Sequence, residues 1–217
     1  MPRSERRAQL LEAAQAVFVA RGYHAAAMDE IADRAGVSKP VLYQHFPGKL
    51  DLYLALLDRH CEALENHVRE ALSRPTEGEG NKDLVMATIG AYYAFVGREG
   101  AAFRMVFESD LTSVPQVRQR LDTVEFTCAE LIADVISADT GLDDERAMLL
   151  GVALAGMAQI TARHWLAQNA DLSQDDAAHL IGTLAWRGLG SFPKVGEGSD
   201  APYGRGGEQP HTTRRPP

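Results

Sequence analysis

Apolar residues in this 217-residue chain recur at helical spacing almost from end to end, and no alternating run lasts long enough to make a strand. That restricts the fold to packed helices. Leu10, Leu11, Ala14, Val17 and Phe18 share one face of a first helix, expected from about Ser4 to Arg21 and ended by Gly22. A short helix from about Met28 to Ala35 stops at Gly36. Ser38 is a credible N-cap for a third, ending near Phe46, and Pro47-Gly48 turns the chain into a longer helix over 50–73. The stretch RPTEGEGN, Arg74 to Asn81, is the main break and reads as a hinge. Beyond it the pattern predicts helices over 81–98, broken by Gly97 and Gly100, over 101–111, from Pro115 to Ser137, from Asp143 to Gln168, and from the Ser173/Asp176 capping box to Leu189. From Pro193 onward glycine, proline and charge dominate, so 193–217 reads as a disordered tail. The expected fold class is all-α. A three-helix N-terminal unit (1–49) leads through a connecting helix (50–73) into a larger helical unit (82–190).

Composition narrows the setting. Apolar residues make up 45% of the chain, enough for a proper core, and no run of about 18 apolar residues reads as a membrane span. The first residues mix charge with helix formers and lack a secretory pattern. Cys61 and Cys128 fit no CxxC motif and read as reduced thiols, so a cytoplasmic protein is expected. The net charge of −8 argues against nucleic acid, but its distribution does not: residues 1–60 balance at +1 and the remainder at −9. Only the N-terminal quarter, with Arg3, Arg6 and Arg7 at its start, would not be repelled by phosphate.

That quarter holds GVSKPVLYQHFPGK, Gly36 to Lys49. Two short helices separated by AGVS form a helix-turn-helix pattern. Ile31, Ala32 and Ala35 must pack on Leu42 and Phe46, which are four residues apart and so share the inward face. Pro40, Tyr43 and Gln44 then point outward, flanked by Lys39, Val41 and His45. This set suits a major groove: Tyr43 and His45 can donate to phosphate oxygens, Gln44 can read a base edge, and Lys39 and Lys49 bracket the helix where phosphate strands would pass. A generic helical hairpin with a solvated face fits the bare pattern as well. No H-E-x-x-H, Gly-rich phosphate loop or G-x-S-x-G occurs, so no enzyme, cofactor or metal is expected.

The F-x-x-x-G-Y entry at Phe18–Tyr23, Ile31-Ala32, Ala35-Gly36-Val37-Ser38, Leu42-Tyr43-x-His45-Phe46, and Lys49 with Leu52 resemble the N-terminal domain of TetR-family transcriptional regulators, over roughly residues 5–57. The resemblance implies DNA contacts at Lys39, Pro40, Val41, Tyr43, Gln44, His45 and Lys49. It also implies an all-helical ligand domain whose last two helices dimerise on a palindromic operator. One departure is Ala27, where the family usually places a capping Ser or Thr; a lost cap costs about 1 kcal/mol. The run YHAAAMDEIADRAGVSKPVLYQHF, the segment FESD, ISADTGLD and ARHWL resemble an actinobacterial branch that controls fatty-acid synthesis and senses long-chain acyl-CoA.

In the C-terminal part, Gly151, Ala155 and Ala158 form a small-residue stripe, and Leu180 and Leu184 an apolar one. Together they suit a four-helix homodimer interface, or an intramolecular core, which periodicity does not separate. Tyr92, Phe95, Phe103, Phe107, Phe126, Met157 and Trp165 are candidates to line an effector pocket, with plain packing as the alternative for each. An apolar chain with a polar head fits such a lining, and the resemblance puts an acyl-CoA or fatty acid there, with Arg104 or Arg163 at its polar groups. The competing function is a lipid-binding carrier or adaptor that has kept the fold without operator binding.

Overall fold

The computed structural model describes residues 2–73, 80–107, 110–168 and 171–189, and every regular element among them is helical. The expected tail, most of the hinge, and the side chains of Phe107 and Arg104 lie outside the described set. Eight α-helices and one short 3-10 turn follow in order: α1 (Arg3–Ala25), α2 (Met28–Arg34), α3 (Lys39–His45), α4 (Lys49–Leu72), α5 (Asn81–Phe107), the turn Asp110–Ser113, α6 (Pro115–Thr140), α7 (Asp144–Gln168) and α8 (Gln174–Leu189).

Two glycines near the N-terminus take positive φ and break the helices where expected. At Gly22 the regular helix stops, although helical turns resume to Ala25. Gly22 takes φ 74 and kinks the helix, so that Tyr23 folds back onto Phe18 and Tyr53, with ring centroids 5.8 and 5.3 Å away. Gly36, at φ 63, does end α2. Its N–H bonds to Asp33 O and that of Val37 to Ala32 O, which is a Schellman closure. Ser38 holds the N-cap position of α3 as expected, but neither it nor Ala27 at the start of α2 makes a side-chain capping bond. Further on, Ser173 does cap α8: its Oγ accepts from the Asp176 N–H at 3.1 Å.

α5 runs unbroken through Gly97 and Gly100, where a break was expected. The reason is packing. Gly97 lies where α5 crosses α8, with the movable end of the Gln174 side chain directly opposite. The core is continuous. Leu10, Val17, Phe18, Ile31, Leu42 and Leu52 at one end and Tyr93, Phe95, Val96 and Val117 at the other belong to one buried cluster, linked by Leu56, Leu57, Leu64 and Val68 of α4. α4 is therefore a physical link between the two ends of the molecule, beside the direct packing of α1 on α5.

Candidate nucleic-acid interface and effector cavity

The short α3 is held by its inward side chains. Leu42 is fully buried and Phe46 nearly so, against Ile31, Ala32 and Ala35. Lys39, Pro40, Tyr43 and Gln44 are exposed, while Val41 and His45 are half-buried beside them. Tyr43 is 47% exposed, an aromatic with no packing reason to be outside. α1 braces the turn from behind: Gln9 Nε2 donates to Ala35 O at 2.9 Å, Arg6 donates to Gln9 at 2.7 Å, and the Arg7 guanidinium sits 5.0 Å from the centre of the Phe46 ring. Two of the three arginines expected to form a basic arm thus also serve the frame.

The structure separates the two lysines that were expected to bracket the groove. Lys49 Nζ donates to three carbonyls at the bent end of α1, those of Tyr23 (2.8 Å), His24 (3.1 Å) and Ala26 (2.9 Å), and lies 4.7 Å from the Tyr23 ring centre. An ammonium has three protons, and all three are used. Lys49 is a brace between α1 and α4, not the phosphate contact read from its position. It also explains the G-Y entry, since the kink at Gly22 presents those carbonyls. Lys39 stays at the exposed surface, where its Nζ pairs with Asp29 of α2 at 2.5 Å. The hydrogen bond that Lys39 donates to the Asp29 carboxylate raises the Lys39 pKa above the usual lysine value. Both partners are more than half exposed, so water and salt screen the pair.

The second feature is a cavity of about 360 Å³ among α4, α5, α6, α7 and α8. Its wall is mainly aliphatic: Leu64 and Val68 of α4, Val85 and Ile89 of α5, Ile132 and Ile136 of α6. Volume and lining are those of a small-molecule site. Of the expected pocket residues, Tyr92 and Phe126 line it. Phe95 and Phe103 do not; they meet edge to face at 6.5 Å in the core. Trp165 is occupied elsewhere, tilted against Tyr93 with ring centroids 5.8 Å apart and donating its indole N–H to Leu172 O. Met157 is half-buried and outside the lining. Aromatic clustering pointed to the core because large flat side chains fill space, whereas a cavity survives where smaller side chains leave it.

The small-residue stripe also turns inward. Gly151 is pressed on α6, where a Cβ would collide with the Ala129 carbonyl and come within 3.2 Å of Ala133. Ala155 and Ala158 line the cavity. The three residues read as a dimer seam therefore serve α6–α7 packing and the cavity wall. Leu180 and Leu184 do face outward, 61% and 60% exposed, and α7 adds Leu149, Val152 and Ile160. Periodicity missed these three because the α7 sequence is apolar on nearly every face.

A helix-turn-helix unit with a polar, aromatic outer face, joined to a cavity-bearing helical body, has the architecture of a helical DNA-binding protein. The family profile described as "Bacterial regulatory proteins, tetR family" matches residues 10–56. The HTH-type transcriptional activator FasR of Mycolicibacterium smegmatis is 45% identical over 193 residues, covering 89% of this chain and 87% of that protein. The chain belongs to the TetR family and is a DNA-binding transcriptional regulator, a family whose members bind operator DNA as dimers and respond to small molecules. A TetR-like transcriptional regulator from Rhodococcus sp. RHA1 superposes with a TM-score of 0.69 at 28% identity, over 88% of this chain and 99% of that one. The fold is shared too by FadR of Bacillus subtilis, solved in complex with stearoyl-CoA: TM-score 0.69, 17% identity, 82% and 96% coverage. These relatives are regulators, which agrees with the exclusion of an enzyme. No described helix is long and apolar enough to cross a membrane.

Proposed function

We propose that the chain acts as a homodimer on a palindromic operator and that a hydrophobic effector with a long acyl chain, an acyl-CoA or fatty acid, changes its DNA affinity. One observation carries the coupling. The first residue of α4, Lys49, is bonded to the frame that holds α3, and the last turns of the same helix, Leu64, Val68 and Leu72, are cavity wall. A ligand that displaces those leucines and Val68 tilts a rigid rod whose far end carries the recognition helix. In a two-fold dimer the separation of the two recognition helices changes, and with it the fit to half-sites one helical turn apart. Arg120 of α6 is tied to Asp58 of α4 at 2.5 Å, giving the ligand body a second grip on the same rod.

On the DNA, Lys39, Pro40, Val41, Tyr43, Gln44 and His45 form the reading surface, with the exposed Gln44 placed for base edges and Tyr43 for phosphate. The domain boundaries at 49/50 and 73/82 belong to this reading: α4 is the connector between the two functions. In the cavity, the acyl chain lies along the aliphatic wall. The test is selection of genomic DNA fragments by the purified protein at fixed salt, with and without a long-chain acyl-CoA. A palindrome whose recovery changes at least tenfold with acyl-CoA is expected. A palindrome indifferent to acyl-CoA removes that effector, and no enrichment in either condition removes operator binding.

A further inference from the structure

We propose that the effector site is shared between two copies of the chain: one mouth of the cavity opens on the face covered by the second copy, whose apolar side chains close it. This rests on the dimeric, cavity-binding reading above. The wall changes character from one side to the other. Leu64 and Val68 are buried to within 4% and 2%, but Phe126 of α6 and Val152 of α7 line the same cavity while 54% and 50% exposed. Large apolar side chains at the rim of an apolar cavity, half in water, leave the wall unfinished.

The rim lies on the face that faces out. Leu149, Val152, Gly156 and Ile160 follow one another at steps of three, four and four, a single stripe along α7, and Leu149 and Ile160 are 71% and 59% exposed. Leu180 and Leu184 continue the apolar surface on α8. The chain's own packing accounts for Gly151, where a Cβ would collide with the Ala129 carbonyl, but a Cβ at Gly156 would meet nothing within 4 Å. Gly156 thus leaves a flat spot between Val152 and Ile160 on which a symmetric copy can pack. Gly156 also lines the cavity, so at this point one small residue separates cavity from dimer face. Just beside it Gln159 of α7 donates to Glu125 of α6 at 2.5 Å, tying the two helices together at the rim.

Size points the same way. A volume of about 360 Å³ holds roughly a dozen groups the size of a water molecule, at about 30 Å³ each. A longer chain emerges at the Phe126–Val152 rim, against the partner. Effector binding and dimerisation are then linked, each strengthening the other by the same factor.

The experiment uses the full-length chain, with cis-parinaric acid, a fluorescent 18-carbon fatty acid, as probe. Leu180→Glu with Leu184→Glu breaks the face without altering a lining residue; circular dichroism and a melting curve establish that the variant is folded, and sedimentation that it is monomeric. The shared site requires at least a tenfold loss of probe affinity in this monomer. A second measurement needs no variant: saturating probe must tighten the wild-type dimer dissociation constant at least tenfold. A monomer that binds probe as well as the dimer, with the dimer constant unmoved, overturns the shared site and leaves the dimeric regulator standing. A wild-type chain that stays monomeric at operator-binding concentrations, or a wild-type dimer that does not bind the probe, overturns the underlying reading and this inference with it.

Discussion

The two ends of the molecule spend their apolar residues in opposite ways. Around α1–α3 and the start of α4, Leu10, Phe18, Ile31, Leu42 and Tyr53 are at most 1% exposed, and the large apolar side chains left outside are Val19 and Tyr43. Around α6–α8 a cavity is left inside and Leu149, Val152, Ile160, Leu180 and Leu184 are left outside. A unit that must present one rigid helix to DNA gains from complete packing. A unit that must admit a ligand and a second copy cannot be packed to completion by its own side chains.

The largest expected effect breaks the contrast at its packed end. Phe18→Ala should cost about 4 kcal/mol in urea unfolding, because its surroundings have no free volume to collapse into. Ile132→Ala, on the half-buried cavity wall, should cost only about 1 kcal/mol, since much of the lost contact was already missing. Equal losses would mean the two ends are packed alike. Next, Gly151→Leu should cost about 1–3 kcal/mol by forcing α7 off α6, and should lower probe affinity in the cavity. Binding unaffected at lowered stability would place the α6–α7 contact outside the effector site.

The lysines sharpen the comparison within the DNA end. Lys49→Met should lower stability by about 1–3 kcal/mol, by leaving three carbonyls without their donor, and should keep the salt dependence of operator binding. Lys39→Met should reduce the slope of log affinity against log salt by about 1 and leave the melting temperature in place. Asp29→Asn frees Lys39 from its ion pair. Operator affinity at low salt should rise a few-fold, with stability changed by less than about 0.5 kcal/mol. If affinity falls instead, Asp29 positions Lys39 for DNA.

The smallest effect is read in the thiols. Burial pushes Cys61 and Cys128 from near 9.0 up to about 12. A raised folded pKa keeps the proton, so this contribution to stability is complete below the unfolded cysteine value and is lost as pH rises toward 12. Native protein at pH 8 should therefore be alkylated slowly by iodoacetamide, as followed by mass, and unfolding in urea should release both sites together. Fast labelling of Cys128 alone in native protein would mean the cavity admits solvent to its wall.

The N-terminal unit was legible because local rules and function coincide there. AGVS encodes a helix stop with a left-handed glycine, Leu42 and Phe46 mark the inward face, and what remains must face out. The same reasoning misplaced Lys49, since a lysine donating to carbonyls 23 to 26 residues away looks in sequence like any surface cation. It misread Gly97 for the same reason: a glycine at a helix crossing and one that ends a helix differ only in what lies opposite.

By itself, then, the sequence determined an all-helical chain, a helix-turn-helix with a defined outer face, and the family to which it belongs, because helical period, caps and turn residues are properties of neighbours along the chain. Which aromatics close the core, where the cavity lies, and which stripe of α7 is left for a partner were decided only when α4, α5, α6 and α8 met around it. Burial is a property of pairs of helices, and an α7 that is apolar on nearly every face carries no record of its neighbours until they are in place.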